Sequence, residues 1–260
     1  MTDTPPPEES GAEAYNPGKV LVAIPTYNER DNITDIVAAV REHAPAADIL
    51  VVDDNSPDGT GAIAEDLSST SKAVHVLHRA KKAGLGAAYL AAFAWAREQH
   101  YDVVVEMDAD GSHDAADLPR LLAALDGCEV VIGSRYIPGG RIVNWPKRRE
   151  LLSRGASLYT RFMLSLPIRD VTAGFRAYKI PSLHRLDLTS VTSVGYCFQI
   201  DLTRRAVAAG QIVTEVPIVF TERRLGASKM SGTIAVEALR NVTRWGLTHR
   251  LHQLRRLIKK

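Results

Sequence analysis

Two aspartates one residue apart, Asp108 and Asp110, follow an apolar run, Val103-Val104-Val105, with the composition of a buried strand. Alternate side chains on an extended chain point the same way, so both carboxylates can face one point at the strand's end. Carboxylates that close repel each other unless a cation lies between them. Oxygen donors at this spacing suit a hard ion, Mg²⁺ or Mn²⁺, which also takes phosphate oxygens. The same spacing fits a polar turn closing a core strand, so the pair needs support from elsewhere in the chain. His113, just beyond, reads as a residue behind the carboxylates or at the surface rather than as a metal ligand.

The rest of the chain supplies that support. Lys19 to Pro25 and Asp48 to Val52 are near-continuous apolar runs, read as buried parallel strands, and Ala73 to Leu77 is a third. Between them, Asn32 to His43 carries Ile33, Ile36, Val37 and Val40 at helical spacing, and Ala62 to Leu67 continues as a helix. Gly84-Leu85-Gly86 opens an Ala-rich helix reaching about His100. It is not a dinucleotide fingerprint, because the third glycine is missing. Asp114 to Leu125 reads as a helix and Val130 to Gly133 as a fifth strand. The alternation implies an α/β fold with a mostly parallel central sheet flanked by helices, on which ligands sit at the carboxyl ends of the strands. Three of those ends are polar: Thr26 to Glu29, Asp53 to Asp58 and Asp108 to Ser112.

The second half is less regular. Gly133 to Pro146 is a loop, Arg149 to Leu164 a helix, and Asp170 to Tyr178 a turn entering a strand. Phe198 to Ala209 reads as a helix. Ile212 to Phe220 is strand-like, and Pro217 within it predicts an edge position or a bulge. Gly232 to Lys260 is a helix with Ile234, Leu239, Val242, Trp245, Leu251, Leu254, Leu257 and Ile258 on its apolar side. The chain divides into an unstructured tail (1–18), a main domain (19–232) and a basic amphipathic helix (233–260).

The chain has 260 residues and a net charge of +2, which does not mark a nucleic-acid binder. The charge is unevenly spread: Arg240 to Lys260 holds seven Lys or Arg and no acid, and Arg141 to Arg161 holds six with one acid, Glu150. Few aromatics interleave with these cations, which argues further against nucleic acid. Cys128 and Cys197 lie in apolar stretches and read as buried thiols in a reducing compartment. No run approaches the ~20 apolar residues of a membrane span.

The ordered set of motifs resembles the inverting glycosyltransferases of the GT-A, family 2 type, and within them the dolichyl (polyprenyl) phosphate mannose synthases. It comprises Pro25-Thr26-Tyr27-Asn28-Glu29, Val52-Asp53-Asp54-Asn55-Ser56-Pro57-Asp58-Gly59-Thr60, Gly84-Leu85-Gly86, Met107-Asp108-Ala109-Asp110, Gly133-Ser134-Arg135-Tyr136, Asn144-Trp145-Pro146, Gly174-Phe175-Arg176, Glu215-Val216-Pro217-Ile218, Arg223 and Gly226-x-Ser228-Lys229. The resemblance spans about residues 19 to 232. It implies transfer of mannose from GDP-mannose to a polyprenyl phosphate, giving polyprenyl-phosphate β-mannose and GDP, with Mg²⁺ or Mn²⁺. It also implies that Pro25, Tyr27, Glu29, Val52 and Asp54 hold the guanosine. Asp108, Ala109 and Asp110 would hold diphosphate, mannose and metal; Arg135, Arg149 and Ser153 would meet the acceptor phosphate; Arg223 and Lys229 would close over the donor. Archaeal relatives place Gln where Ser112 stands. Its shorter hydroxyl either reaches the metal or does so through water. Many family 2 enzymes use a late acid as base, which makes Asp201 a candidate.

Alternatives remain at this stage. Asp54 can instead cap the helix that follows, Tyr27 can be a core aromatic, and the arginines at 135, 141, 148 and 149 can form a solvated face. At the level of function, a sister enzyme using UDP-glucose and a non-catalytic nucleotide-sugar binder are the rivals. A lipid acceptor requires contact with a bilayer. The basic segment Arg250 to Lys260 predicts peripheral attachment at the cytoplasmic face, helped by a membrane-anchored protein partner, or else a helix docking on protein.

Overall fold

The computed structural model describes residues 15–191, 195–222 and 232–258. Arg223, Ser228 and Lys229, and most of the expected tail, therefore lie outside the described residues. From the N-terminus the elements are β1 (Val20–Thr26), α1 (Ile33–His43), β2 (Asp48–Asp53), α2 (Thr60–Thr70), β3 (Val74–His78), α3 (Leu85–Glu98) and β4 (Val103–Glu106). A 3₁₀ turn over Ala115–Asp117 leads into α4 (Leu118–Ala123), replacing the single helix expected from Asp114. Then come β5 (Val130–Ser134), β6 (Arg141–Val143), α5 (Lys147–Leu164), β7 (Arg176–Lys179) and α6 (Ile180–His184). The chain closes with α7 (Tyr196–Ala208), β8 (Val213–Pro217), β9 (Val219–Thr221) and α8 (Gly232–Ile258).

Seven strands form one sheet in the order β3-β2-β1-β4-β7-β5-β8. All neighbours are parallel except β7, which runs antiparallel to both β4 and β5. Pro217 ends the edge strand β8, the position expected of a residue with no N–H to give to a ladder. β6 and β9 pair separately as a short parallel ribbon.

The period-2 alternation of buried strands explains the two cores. Val20, Val22, Ile24, Ile49, Val51, Val103 and Val105 pack against α1, α2 and α4. Leu21, Ala23, Leu50, Val52 and Val104 face the opposite way, onto α3, α6 and α7. Burial of each large aliphatic side chain is worth roughly 1.5–3 kcal/mol of transfer free energy, so a register slip of one residue would lose both faces at once. α8 is tied into this second core: Val242 is buried, Trp245 packs on it, and Thr243 meets Tyr159 of α5 at 2.7 Å. Leu239, expected on the apolar side, is exposed instead, as is Leu247, because among the described residues only the stripe through Val242 and Trp245 meets the core. Both cysteines are buried free thiols. Among the described residues no helix is long and apolar enough to cross a membrane.

Candidate active site

The carboxyl ends of β1, β2 and β4 lie side by side, and the polar loops leaving them form the site. Asp53, the last residue of β2, accepts from Thr26 Oγ1 at 3.2 Å and from Ser56 Oγ at 2.5 Å, which fixes the two loops against each other. Asp54 accepts from Arg79 Nη1 at 2.6 Å and from the Ala83 N–H at 3.3 Å, tying the end of β2 to the chain entering α3. It does not cap α2; Asp58 takes the Thr60 N–H there, at 3.0 Å. Tyr27 is half-buried beneath Lys82, whose Nζ stands 4.0 Å from the ring centroid, so it is not a core aromatic. Glu29 is buried and accepts from Asn32 Nδ2 at 2.8 Å. Pro25 lies half-buried at the end of β1. Val52 is wholly enclosed in the core, so its side chain is not presented to a ligand, and the expectation for it reduces to its main chain. Ala109 is likewise packed into the core.

The acidic pair is presented differently from the extended geometry expected of it. β4 stops at Glu106, and Asp108 and Asp110 lie in the turn beyond, which Gly111 closes at φ +72°. Asp108 is set from two sides. Tyr89 Oη of α3 donates to its Oδ1 at 3.3 Å, and its backbone N–H donates to His113 Nδ1 at 3.1 Å. An imidazole accepting at Nδ1 is neutral, with its proton on Nε2. Burial agrees, holding His113 below its ordinary pKa against the pull of Asp108 and Asp110. The ring is stacked on Phe175 at 5.0 Å and meets Phe220 edge-on at 5.5 Å. Asp110 accepts the Ser112 N–H at 3.1 Å.

Among the described residues no three His, Cys, Asp or Glu side chains gather as a closed metal cage. The donor set nonetheless fits a cation that keeps waters and phosphate oxygens: two carboxylates in one turn, and a buried Ser112 hydroxyl with no hydrogen-bond partner among the described residues. A buried hydroxyl so placed calls for a ligand or an ordered water.

Beneath the turn, Glu106 is fully buried with Arg176, Gln199 and Tyr178 around it. Gln199 Nε2 donates to it at 2.9 Å. Burial pushes its carboxyl up to about 8, against the lowering effect of Arg176 and Gln199. Their convergence is not legible in the sequence, because Arg176, Tyr178 and Gln199 lie 70 or more residues from Glu106, Arg176 meeting it across the β4–β7 pair.

The arginines divide into two groups. Arg141 and Arg148 are exposed, as a solvated face requires. Arg135 is buried and forks on Asp170, with Nε to Oδ2 and Nη2 to Oδ1 both at 2.7 Å and Nη2 to Thr172 at 3.0 Å. Asp170 is held in turn by its own backbone N–H to Glu215 at 2.9 Å. Arg149 of α5 lies over Trp145 at 4.0 Å and is paired with Glu222 at 2.6 Å. Ser153, one turn along α5, accepts from Tyr136 Oη at 2.7 Å. The structure links this group to the acidic turn through Phe220, which contacts His113 and also Trp145 and Arg135. Asp201 is not part of it. It is buried in α7 and paired with Arg204 at 2.6 Å and Arg205 at 3.1 Å, which removes it as a base.

With this geometry in view, the glycosyl transferase family 2 model matches residues 21–187. The chain belongs to that family, and its fold is the GT-A type. It is 55% identical over 243 residues to the polyprenol monophosphomannose synthase of Mycolicibacterium smegmatis, covering 93% of this chain and 92% of the relative. It is 52% identical to the undecaprenyl-phosphate mannosyltransferase of Micrococcus luteus, covering 91% and 98%. Among solved structures it is similar to glucosyl-3-phosphoglycerate synthase of Mycobacterium tuberculosis in complex with Mn²⁺, UDP-glucose and phosphoglyceric acid. The TM-score is 0.65 at 18% identity, covering 88% of this chain and 80% of that one, a likeness of fold.

Proposed function

We propose that this chain transfers mannose from GDP-mannose to a polyprenyl phosphate, with inversion at the anomeric carbon, at the membrane surface. The observation that carries the reading is the meeting, across Phe220, of an acidic turn suited to a metal-bound diphosphate with an arginine-lined wall suited to a phosphate. The names of the relatives at 55% and 52% identity support the choice of mannose and lipid phosphate.

In this reading Tyr27, Glu29 and Asp54, with Pro25 and the main chain at Val52, receive the guanosine. Asp108, Asp110 and Ser112, with the main chain at Ala109, hold the diphosphate and its cation. A bound Mg²⁺ or Mn²⁺ supplies charge neutralisation for the departing diphosphate. The protein's part is to fix the acidic turn before substrate arrives, Asp108 through Tyr89 and neutral His113 and Asp110 through the Ser112 N–H, so that little reorganisation is left for the reaction. Arg223 and Lys229, beyond the described residues, would add cations over the donor.

The acceptor needs little help to become a nucleophile. A phosphomonoester has a second pKa of about 6 and is largely dianionic near neutral pH. No general base is required, which agrees with the engagement of Asp201 elsewhere. Arg149 and Ser153 orient the acceptor phosphate. Arg135, with two of its nitrogens on Asp170, acts mainly by fixing that wall and its local positive field.

The same helix that offers Arg149 and Ser153 exposes Leu151, Leu152, Leu158 and Phe162 to 63–74%. Leu151, Leu158 and Phe162 stand on the face of α5 turned away from Arg149 and Ser153, so they offer an apolar surface to a bilayer beside the site rather than a lining for the isoprenoid tail. This supports peripheral attachment at the cytoplasmic face, with a membrane-anchored protein as a further partner.

The test is transfer of label from GDP-mannose to a short polyprenyl phosphate, with and without chelator and with UDP-glucose as a competing donor. Chelation and Asp110→Ala are each expected to lower turnover by about 10²–10³-fold or more, with the fold retained by circular dichroism. Metal-dependent turnover preserved in Asp110→Ala, or preferential use of UDP-glucose, would overturn the reading.

A further inference from the structure

We propose that Glu222 is a charge gate for the acceptor: it holds Arg149 in the acceptor-phosphate position, yields to a doubly charged phosphomonoester, and retakes Arg149 from the singly charged phosphodiester product. The proposal rests on the function given above.

The two inward arginines have carboxylate partners of different kinds. Asp170 is fully buried beneath Arg135, with side-chain exposures of 0% and 4%, and has nowhere to move. Glu222 and Arg149 are 28% and 29% exposed, open to a ligand from solvent. Arg149 Nη1 donates to both Glu222 oxygens, at 2.7 and 2.6 Å, so the carboxylate takes one end of the guanidinium, which an incoming phosphate would also engage. Trp145 supports the guanidinium from below at 4.0 Å and keeps it in place whichever anion it carries. The backbone of Glu222 is pinned, its N–H donating to Val143 O at 3.0 Å beside the β6–β9 ribbon. Exchange therefore needs only rotation of the Glu222 side chain.

The reaction changes the charge that competes for Arg149. A phosphate oxygen of the acceptor forms a bond to the anomeric carbon, the bond from that carbon to the diphosphate breaks, and GDP leaves with the electron pair. No proton moves when the acceptor is dianionic. The acceptor phosphate enters with a charge near −2 and ends with −1, because the oxygen now bridging to mannose has lost its charge. Coulomb attraction to one cation scales with that charge. Glu222, itself −1, is outmatched by the substrate and evenly matched with the product. It discriminates between them without touching either the sugar or the lipid.

The experiment compares the full-length protein with Glu222→Gln, Glu222→Asp and Arg149→Met. Three readouts are taken: KM for a short polyprenyl phosphate, the inhibition constant of added polyprenyl phosphomannose, and kcat. Glu222→Gln is expected to tighten product inhibition about tenfold and to lower the acceptor KM by about two- to threefold, with a lower kcat as release slows. Glu222→Asp should restore most of the discrimination. A partner that merely ordered Arg149 would give constants that are unchanged or that weaken together, and that result overturns the gate. Arg149→Met should raise the acceptor KM at least tenfold. If it does not, Arg149 is not at the acceptor phosphate and the underlying reading of the wall fails. If it does, while Glu222→Gln moves KM and the product constant in equal proportion, only the gate fails.

Discussion

Asp170 is a carboxylate with no exposure to solvent, and it remains charged because Arg135 is built around it. Burial alone would raise its pKa. The charge of Arg135 and three hydrogen bonds, one from its backbone N–H and two from its guanidinium, outweigh that and hold it below the ordinary carboxylate value. Since the folded value lies below the unfolded one, the pair's stabilisation is complete above the ordinary carboxylate range and is lost as pH falls through the folded value. Removing one partner leaves a buried uncompensated charge. Arg135→Met is therefore expected to cost roughly 3–5 kcal/mol at pH 7, measured as a lower urea midpoint. The gap to the parent should narrow toward pH 4, because Asp170 in the variant can take a proton. A gap that stays constant with pH would mean the ion pair is not what is lost. The sequence marks Arg135 as important through the Gly-Ser-Arg-Tyr motif, but it does not name the carboxylate 35 residues away that claims two of its nitrogens. The same holds for Tyr89 and His113: their types were visible, while their convergence on Asp108 depends on α3 and the turn meeting in space.

At the scale of elements, β1, β2, β4 and β5, which read as apolar runs, are buried on both faces. β7 gave only a turn entering a strand, since Arg176-Ala177-Tyr178-Lys179 has no apolar pattern. Its Arg176 is fully buried and satisfied by Ala173 O, Gln199 O, Val171 O and Thr203, a solution no local rule anticipates. The Gly84-Leu85-Gly86 stretch lacks the third glycine of a dinucleotide fingerprint, and its two glycines serve the packing of α3. Gly84 enters α3 at φ +91°, a region L side chains avoid. Gly86 lets α3 approach α7, since a Cβ there would lie 2.8 Å from the buried Phe198 ring. Alanine would gain ~1 kcal/mol in helix propensity but lose more to overpacking. Gly86→Ala is thus expected to lower stability by about 1–2 kcal/mol in thermal or urea unfolding, with a fall in kcat because Tyr89 rides on the same helix. A more stable variant would show that α3 and α7 have slack between them.

For the molecule as a whole, a net charge of +2 conceals where the cations lie. The basic C-terminal segment suggested a membrane-facing helix, but side chains beyond Arg250 are not described. The exposed apolar surface that is described lies chiefly on α5, with Val236, Leu239 and Leu247 of the packed neighbour α8. Sequence reading missed this because an apolar residue on a helix is assigned to the core unless the core is known to be full. Four large side chains of α5 entering the interface would each recover up to roughly 1.5–3 kcal/mol. Leu158→Glu with Phe162→Glu should therefore weaken pelleting with anionic vesicles by about tenfold or more. Turnover of a detergent-dispersed short-chain acceptor should stay near that of the parent. Deletion of 247–260 separates the contribution of the C-terminal segment. Pelleting unaffected by the α5 pair would move the membrane contact elsewhere.

β7 sits between β4 and β5 but is synthesised after both. Until residues 176–179 emerge from the ribosome, β4 has no neighbour on its far side, and its open N–H and C=O groups are a template for another chain. The part of the sheet built from β1 to β4 can assemble early, whereas β5 and β8 must wait for one four-residue strand to slot in backwards. A premature stop anywhere in the forty residues before it would leave a nascent product with a sticky edge and half of its active site.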